Sequence, residues 1–481
     1  MDEFKLSKLE KLKKLGVNPY PYSFTQGNTA LEIKENYSSF EGKEVSIAGR
    51  ITRIREMGKL CFLNIIDSSS DLQILSRDDN ISNMSKEIMG LIDIGDIIGV
   101  VGVVTKTKKG EISVDAKEIT MLSKSLAIFP EKFHGLTDTE QRYRKRYLDL
   151  IMNPDVRNVF MTRTKIVNLI REFLNGRGFM EVETPVLQPV YGGANAKPFK
   201  THHNYLDEDL YLRIANELYL KRLIIGGFEK VYEFSKDFRN EDVDSTHNPE
   251  FTQVEIYEAY KDYSDFADMV EKIIMKISNG VAGGSIIRYQ GKELDLSKFK
   301  RINFVDAIKE KSGIDVSKIK DDSEARQIAD SEKLETPAKN RYHVADSMFD
   351  KYVKPDLWGP TLVMDYPSYM CPLVKDKRGN PDLSERFEIF IAGLEVGNCY
   401  SELTDPIEQR KKFEEQNEER KKGDEEMPPV DIDFLEAIEY GMPPTAGIGI
   451  SIDRLTMIFT DNTSIKETIL FPTVKTGQKG A

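Results

Sequence analysis

Cysteine is scarce in this 481-residue sequence, and Cys61, Cys371 and Cys399 stand far apart. That spacing excludes a disulfide framework and a zinc ribbon. No zinc is expected, and the three thiols read as core residues. Long uncharged apolar runs are missing, which excludes a bilayer-spanning helix. The segment "MDEFKLSKLEKLKKLG" has no apolar stretch of the secretory kind. A cytoplasmic protein without membrane contact is expected. Net positive charge is lacking as well. The formal charge of −12 excludes a general coating of DNA, although a local basic patch can still hold a nucleic acid through a few phosphate contacts. Neither a P-loop pattern nor a glycine-rich dinucleotide fingerprint occurs. A nucleotide, if bound, must be held another way.

What is present is an ordinary globular composition, 40% hydrophobic and 31% charged, long enough for two or three domains. Leu6, Leu9, Leu12 and Leu15 share one face of a short lysine-rich helix ending at Gly16. From Lys43 to Ser123 apolar and polar residues alternate, with turns at Gly58, at Ser68–Ser70 and at Lys109-Gly110. About five short strands in that space predict a small closed barrel of the OB type, which often binds oligonucleotides. "FHGLTDTEQRYRKRYLDLIMNPDV" reads as a polar, basic connector, and a long helix follows over Val156–Asn175. Beyond it, strand and helix patterns mix without a βαβ rhythm. An α+β fold on a mainly antiparallel sheet is expected. The expected division is 1–130 for the helix and barrel, 131–150 for the connector and 151–481 for the second domain. "EQRKKFEEQNEERKKGDEEMPP" reads as a solvated helix ending at Gly423.

Three segments carry chemistry. In "KVYEFSKDFRNEDVDSTHNPEFTQVEIYEAY" a strand, a charged loop and a second strand follow one another. Phe251, Gln253, Glu255 and Tyr257 have one parity and so share a face. Polar groups on a half-buried face are costly unless paired or met by a ligand. In "RFEIFIAGLEVGNCYSEL" Glu388, Asn398, Tyr400 and Glu402 share a parity that Glu395 does not. A bend or bulge at Ala392-Gly393 would let Glu388 and Glu395 converge. Two carboxylates beside a nucleotide suit Mg²⁺. In "PPTAGIGISIDRLTMIFT" isoleucines alternate with Gly447, Gly449 and Ser451, so a flat ring can approach the strand. Asp453 is expected to cap the next helix. Arg454 lies at the positive end of that helix, a placement that calls for an anion such as phosphate.

In order and spacing these segments resemble the three signature motifs of class II aminoacyl-tRNA synthetases, with motif 1 in the long helix running into "GFMEVETPVL". "GGANAKPFKTHHNYLDEDLYLRIANELYLKRLIIGGFEKVYE", "FRNE…HNPEFT" and "GLEVGNCYSELTDP" are similar to the lysyl-tRNA synthetases of that class. The resemblance implies an enzyme that activates L-lysine with ATP and transfers it to the 3′ end of tRNA(Lys). It implies Arg239 and Arg454 as catalytic residues, with ATP held by these two and by Glu241, His247, Asn248, Phe251, Glu388, Glu395 and Gly449. Phe251 and Arg454 would sandwich adenine, and Glu388 and Glu395 would hold Mg²⁺. It assigns Gly193, Glu217, Glu255, Tyr257, Asn398, Tyr400 and Glu402 to lysine, with Glu402 and Tyr257 at the ε-ammonium. Three glutamates favour a cationic substrate over the acidic or amide substrates of aspartyl and asparaginyl relatives. In the barrel, Phe62 and Gln73 would meet the anticodon, although alternate barrel residues point inward and Phe62 reads equally as core. Pro185 matches the proline of a homodimer interface.

Overall fold

The barrel strands run Glu44–Met57, Leu60–Ile66, Asp71–Arg77, Ile97–Lys106 and Ile112–Ser123, and they close in the order first, second, third, fifth, fourth. A computed structural model of the chain describes residues 2–129, 136, 138–335, 340–421 and 427–475. It divides into two units, 1–135 and 136–481. Part of the expected connector, residues 131–135 and 137, lies outside the described residues, as does the expected helix end at Gly423. The described remainder of that connector carries two short helices, Thr139–Arg144 and Arg146–Met152.

In the first unit the period-2 pattern works as expected. Val45, Ile47, Leu63, Ile65, Leu72, Ile74, Val100 and Val114 fill the barrel. Gly58 turns the first hairpin with φ 61°. The helix Glu3–Lys14 buries Leu9 and Leu12. Leu15 is exposed. Phe62 has the parity opposite to Leu63 and Ile65, so it lies half-buried on the outer face and not in the core. The Arg55 guanidinium stands 5.0 Å from its ring centroid. Asn64 pairs across strands with Gln73, whose Oε1 accepts from the Ser113 hydroxyl at 2.9 Å.

The second unit is built on a nine-stranded sheet in the order Lys300–Asn303, Thr361–Pro367, Asn380–Ile391, Leu394–Ser401, Thr445–Ser451, Glu250–Ala259, Lys230–Phe238 and Met180–Glu181, with Asp376–Lys377 beside the third. Only the two outermost pairings are parallel. One face packs Tyr232, Val254, Ile256, Phe387, Ile389, Ile448 and Ile450 against the helices Pro154–Asn175, Tyr263–Ala282 and Ile452–Phe459. By strand alternation the other face receives Glu233, Asp237, Gln253, Glu255, Tyr257, Glu388 and Asn398, and it is the face that carries the site.

Two local expectations are corrected. Ala392 and Gly393 do not bend one strand. Both adopt positive φ, 53° and 76°, and form the two-residue turn of a hairpin. The bulge lies further on, where Ile389 pairs with Gly397 and Phe390 with Glu395. Val396 is the extra residue, and it shifts Glu395 onto the face of Glu388 and Asn398. Asp453 is not the helix cap. Ser451 Oγ takes that role, accepting from the Arg454 amide at 3.2 Å. Asp453 is drawn inward instead, paired with Arg163 at 2.7 Å and accepting from the Thr252 amide at 2.7 Å.

Candidate active site

A cavity of about 480 Å³ opens on the polar face of the large sheet. Gly193, Glu217, Arg239, Glu241, His247, Asn248, Phe251, Glu255, Tyr257, Glu388, Glu395, Asn398, Tyr400, Gly449 and Arg454 all line it. Glu402 does not reach its wall and lies fully buried behind it. Phe62 and Gln73 belong to the other unit. Pro185 is exposed and outside the cavity lining, next in sequence to the exposed apolar side chains of Val186 and Leu187.

One end of the cavity carries two arginines, Arg239 and Arg454. Strands Lys230–Phe238 and Glu250–Ala259 pair from Lys230 with Glu258 to Phe238 with Glu250, which brings Arg239 to the tip next to Phe251. The Arg239 guanidinium stacks on the Phe251 ring at 5.1 Å, and its Nε has no hydrogen-bond partner. Phe251 thus meets one arginine in the protein itself, and it is Arg239. Arg454 Nη1 donates to the Glu395 carbonyl at 2.7 Å, and its Nη2 lies 3.3 Å from His247 Nε2. Arginine can only donate, so that nitrogen is the acceptor and the His247 Nδ1 proton points to Asp244 Oδ2 at 2.8 Å. The buried Asn248 keeps an unpartnered Oδ1. Glu241 is exposed and accepts from the Lys197 amide at 3.2 Å.

Beside the arginines stand Glu388 and Glu395. Burial, with the neighbouring Glu395 charge, pushes the Glu388 carboxyl up to about 7, against the opposing pull of Arg386. Arg386 is itself half-buried and pairs with Glu388. Two carboxylates held so close to each other, one of them reluctant to ionise, fit a divalent cation. Among the described residues no cluster of three or more His, Cys, Asp or Glu offers a complete metal cage.

The other end is acidic and deep. Glu255 sits opposite Gly449, and Tyr257 opposite Gly447. A Cβ on Gly449 would come 3.1 Å from Glu255 Oε1, and one on Gly447 would come 2.3 Å from both the Tyr257 ring and Glu402 Oε1. The glycine strand does admit a flat ring, and the ring is Tyr257. The Tyr257 hydroxyl donates to Glu255 at 2.9 Å and Gln253 Nε2 donates at 3.0 Å. Burial and the Glu217 charge nonetheless push Glu255 up to about 8. Gly193 has φ 83° and packs close to the Glu217 Cβ. Asn398 donates to the Tyr400 hydroxyl at 2.9 Å and leaves its Oδ1 unpartnered.

Two groups escaped the sequence reading. Lys221, fully buried, pairs with Glu217 at 2.6 Å and with Glu402. Arg213 pairs with Glu233 at 2.7 Å and Asp237 at 3.1 Å, fixing the floor under the hairpin. The spacing of Glu217 and Lys221, one helical turn, was the available signal for the first.

An antiparallel sheet that presents arginines from a hairpin tip and from a helix start to one polar cavity is the catalytic architecture of class II aminoacyl-tRNA synthetases, not a parallel nucleotide-binding fold. Residues 138–475 match the family of tRNA synthetases class II (D, K and N), and residues 45–122 match the OB-fold nucleic acid binding domain. The chain belongs to that class II family. It is 51% identical over 471 residues to the lysine–tRNA ligase of Thermoanaerobacter sp. (strain X514), covering 97% of this chain and 94% of the relative. It is 48% identical over 475 residues to the lysine–tRNA ligase of Moorella thermoacetica, covering 98% and 97%. It is 48% identical to that of Clostridium novyi (strain NT), covering 98% and 94%. Among the described residues no helix is long and apolar enough to cross a membrane.

Proposed function

We propose that the chain is an ATP-dependent lysine–tRNA ligase acting in the cytoplasm as a homodimer. The observation that carries the choice of lysine is the acidic end of the cavity, which Glu217 and Glu255 line and behind which Glu402 lies buried, next to the arginines. A dicationic amino acid suits that pocket, with its carboxylate toward Arg239.

Lysine's carboxylate oxygen attacks the α-phosphorus of ATP. The bond to the β-phosphate oxygen breaks, and pyrophosphate leaves. A carboxylate is already a nucleophile, so no general base is needed, and catalysis is positioning plus charge stabilisation. Arg239 forks onto the α-phosphate, its free Nε being one available donor. Arg454 lies over adenine, on the side away from Phe251, and His247 and Asn248 border the phosphates. Glu241 accepts from the adenine amino group. Gly449 leaves the strand bare beside the nucleotide. Glu388 and Glu395 would hold Mg²⁺. The ion, when bound, neutralises phosphate charge. Glu402 and Tyr257 answer the ε-ammonium, while Gly193, Glu217, Glu255, Asn398 and Tyr400 surround the rest of the amino acid. In the second step the terminal ribose 3′-hydroxyl of tRNA(Lys) attacks the lysyl carbonyl, and AMP leaves. Phe62 and Gln73 on the outer barrel face read the anticodon by stacking and by an amide edge. Pro185 and its exposed apolar neighbours supply the dimer face.

Amino-acid-dependent ATP–pyrophosphate exchange, run with each of the twenty amino acids, tests the reading. Exchange driven by lysine alone is expected. Exchange driven by aspartate or asparagine would move the chain to another branch of the family.

A further inference from the structure

The acidic end of the cavity has its own internal cation. Lys221 lies on the helix Glu217–Ile225, with no exposed surface, and its ammonium touches Glu217 on its own helix and Glu402 at the end of the carboxylate hairpin. Glu402 Oε1 still lacks a hydrogen-bond donor and packs, with the Tyr257 ring, against Gly447 where a Cβ would otherwise stand. The facing groups on the neighbouring strands are Glu255 and Tyr257, with Asp237, which is paired to Arg213, one strand further on. Tyr400 and the half-buried Lys375 lie on the remaining side and reach Glu402 only through space. Glu217 and Glu402 share the Lys221 ammonium, Glu255 adds a third carboxylate beside them, and with all three ionised the pocket holds an excess of two negative charges.

We infer that Lys221 is a positioning residue of the amino-acid pocket: it clamps Glu217 against Glu402 and trims the pocket's negative excess to two, the number of ammonium groups on a free diamino acid. The inference deepens the proposed lysine site and rests on it. Lys221 does not touch the reacting atoms. It sets the charge that the substrate must supply, so an amino acid with a single ammonium leaves a buried carboxylate unanswered, a state whose cost is high. Burial, ahead of the neighbouring carboxylates, pushes both Glu255 and Glu402 up to about 8, so each ionises more readily beside a cation.

The test is a double-mutant cycle on the full chain, read by lysine-dependent pyrophosphate exchange. Lys221→Met keeps the length and removes the charge. On its own it is expected to raise the KM for lysine roughly tenfold or more, with the KM for ATP unchanged. Glu402→Gln on its own lowers the excess to one and also raises the lysine KM. Adding Lys221→Met to Glu402→Gln restores the excess to two, and the lysine KM is expected to fall by about threefold or more from that of Glu402→Gln. One substitution thus harms the native pocket and helps the altered one. A residue that served packing alone would harm both. If Lys221→Met does not fold by itself, the comparison of Glu402→Gln with the double variant still decides, because neither requires the single variant. A lysine KM that stays level or rises in the double variant overturns the inference while leaving the lysine site intact. Failure of the native chain to respond to lysine at all overturns both.

Discussion

The Tyr257 ring occupies the place where Gly447 has no side chain: a Cβ there would come within 2.3 Å of the ring and of Glu402 Oε1. Gly447→Ala must therefore displace a buried ring or a buried carboxylate, and overpacking of this kind costs about 1–3 kcal/mol. Lysine-dependent exchange is expected to fall at least about tenfold, through the KM for lysine, with a lower melting temperature. Steady-state exchange kinetics and a melting curve check both parts. An alanine variant with native lysine kinetics would show that the ring has room to move.

Arg239→Ala removes a guanidinium that stacks on the Phe251 ring and whose Nε has no hydrogen-bond partner among the described residues. Stability should change little. Loss of one charge-stabilising donor costs about 100-fold or more in rate. Adenylate formation, measured by pyrophosphate exchange, should drop by that order while the circular dichroism spectrum and melting point hold. Undiminished exchange would remove Arg239 from the chemistry.

Glu255 makes the pocket pH-sensitive. Its folded-state value of about 8 lies above its ordinary 4.5, with burial the largest cause and Glu217, Asp237 and Glu402 adding to it against the Tyr257 hydrogen bond. A carboxyl raised in this way contributes stability fully below about pH 4.5 and loses it as the pH climbs through about 8. An ammonium ligand pairs with the carboxylate and cancels the loss. The rise in melting temperature on adding lysine should therefore grow from about pH 6 to about pH 8. A lysine-induced shift that stays flat across that interval would mean that Glu255 does not meet the substrate.

Phe62→Ala tests the outer face of the barrel. Stacking is worth about 1–3 kcal/mol per base, so the KM for tRNA in the charging reaction should rise about fivefold to a hundredfold. Lysine-dependent exchange, which needs no tRNA, should stay native. Unchanged charging would leave Phe62 as a partner for Arg55 alone.

The face assignments were legible because they follow from period two. Phe251, Gln253, Glu255 and Tyr257 stand together as alternation dictates. Phe62 could not be placed as core or surface, because that depends on which parity the barrel buries, and Leu63 and Ile65 decide it. Ala392-Gly393 misled because alanine does not advertise a positive φ, so a reversal read as a bend. Asp453 looked like a cap by local preference, but Arg163 comes from a helix far away in sequence and pulls it inward. Lys221 shows the same limit. Its partner one turn back is local and visible, while Glu402 arrives only through the fold.

The hairpin around Ala392-Gly393 separates two kinds of inheritance. Glu388 and Glu395 stand on either side of one tight turn, so their spacing is written in a single short stretch of chain. The acidic pocket is gathered instead from a helix start, an inner strand and a hairpin end that lie far apart in sequence. Substitutions that reshape the pocket leave the turn alone. On the proposed site, a lineage that altered Glu217, Glu255 or Glu402 would exchange one amino acid for another while the nucleotide half continued to work through every intermediate. A family that spans D, K and N enzymes on one frame is what such a division of the molecule would allow to arise.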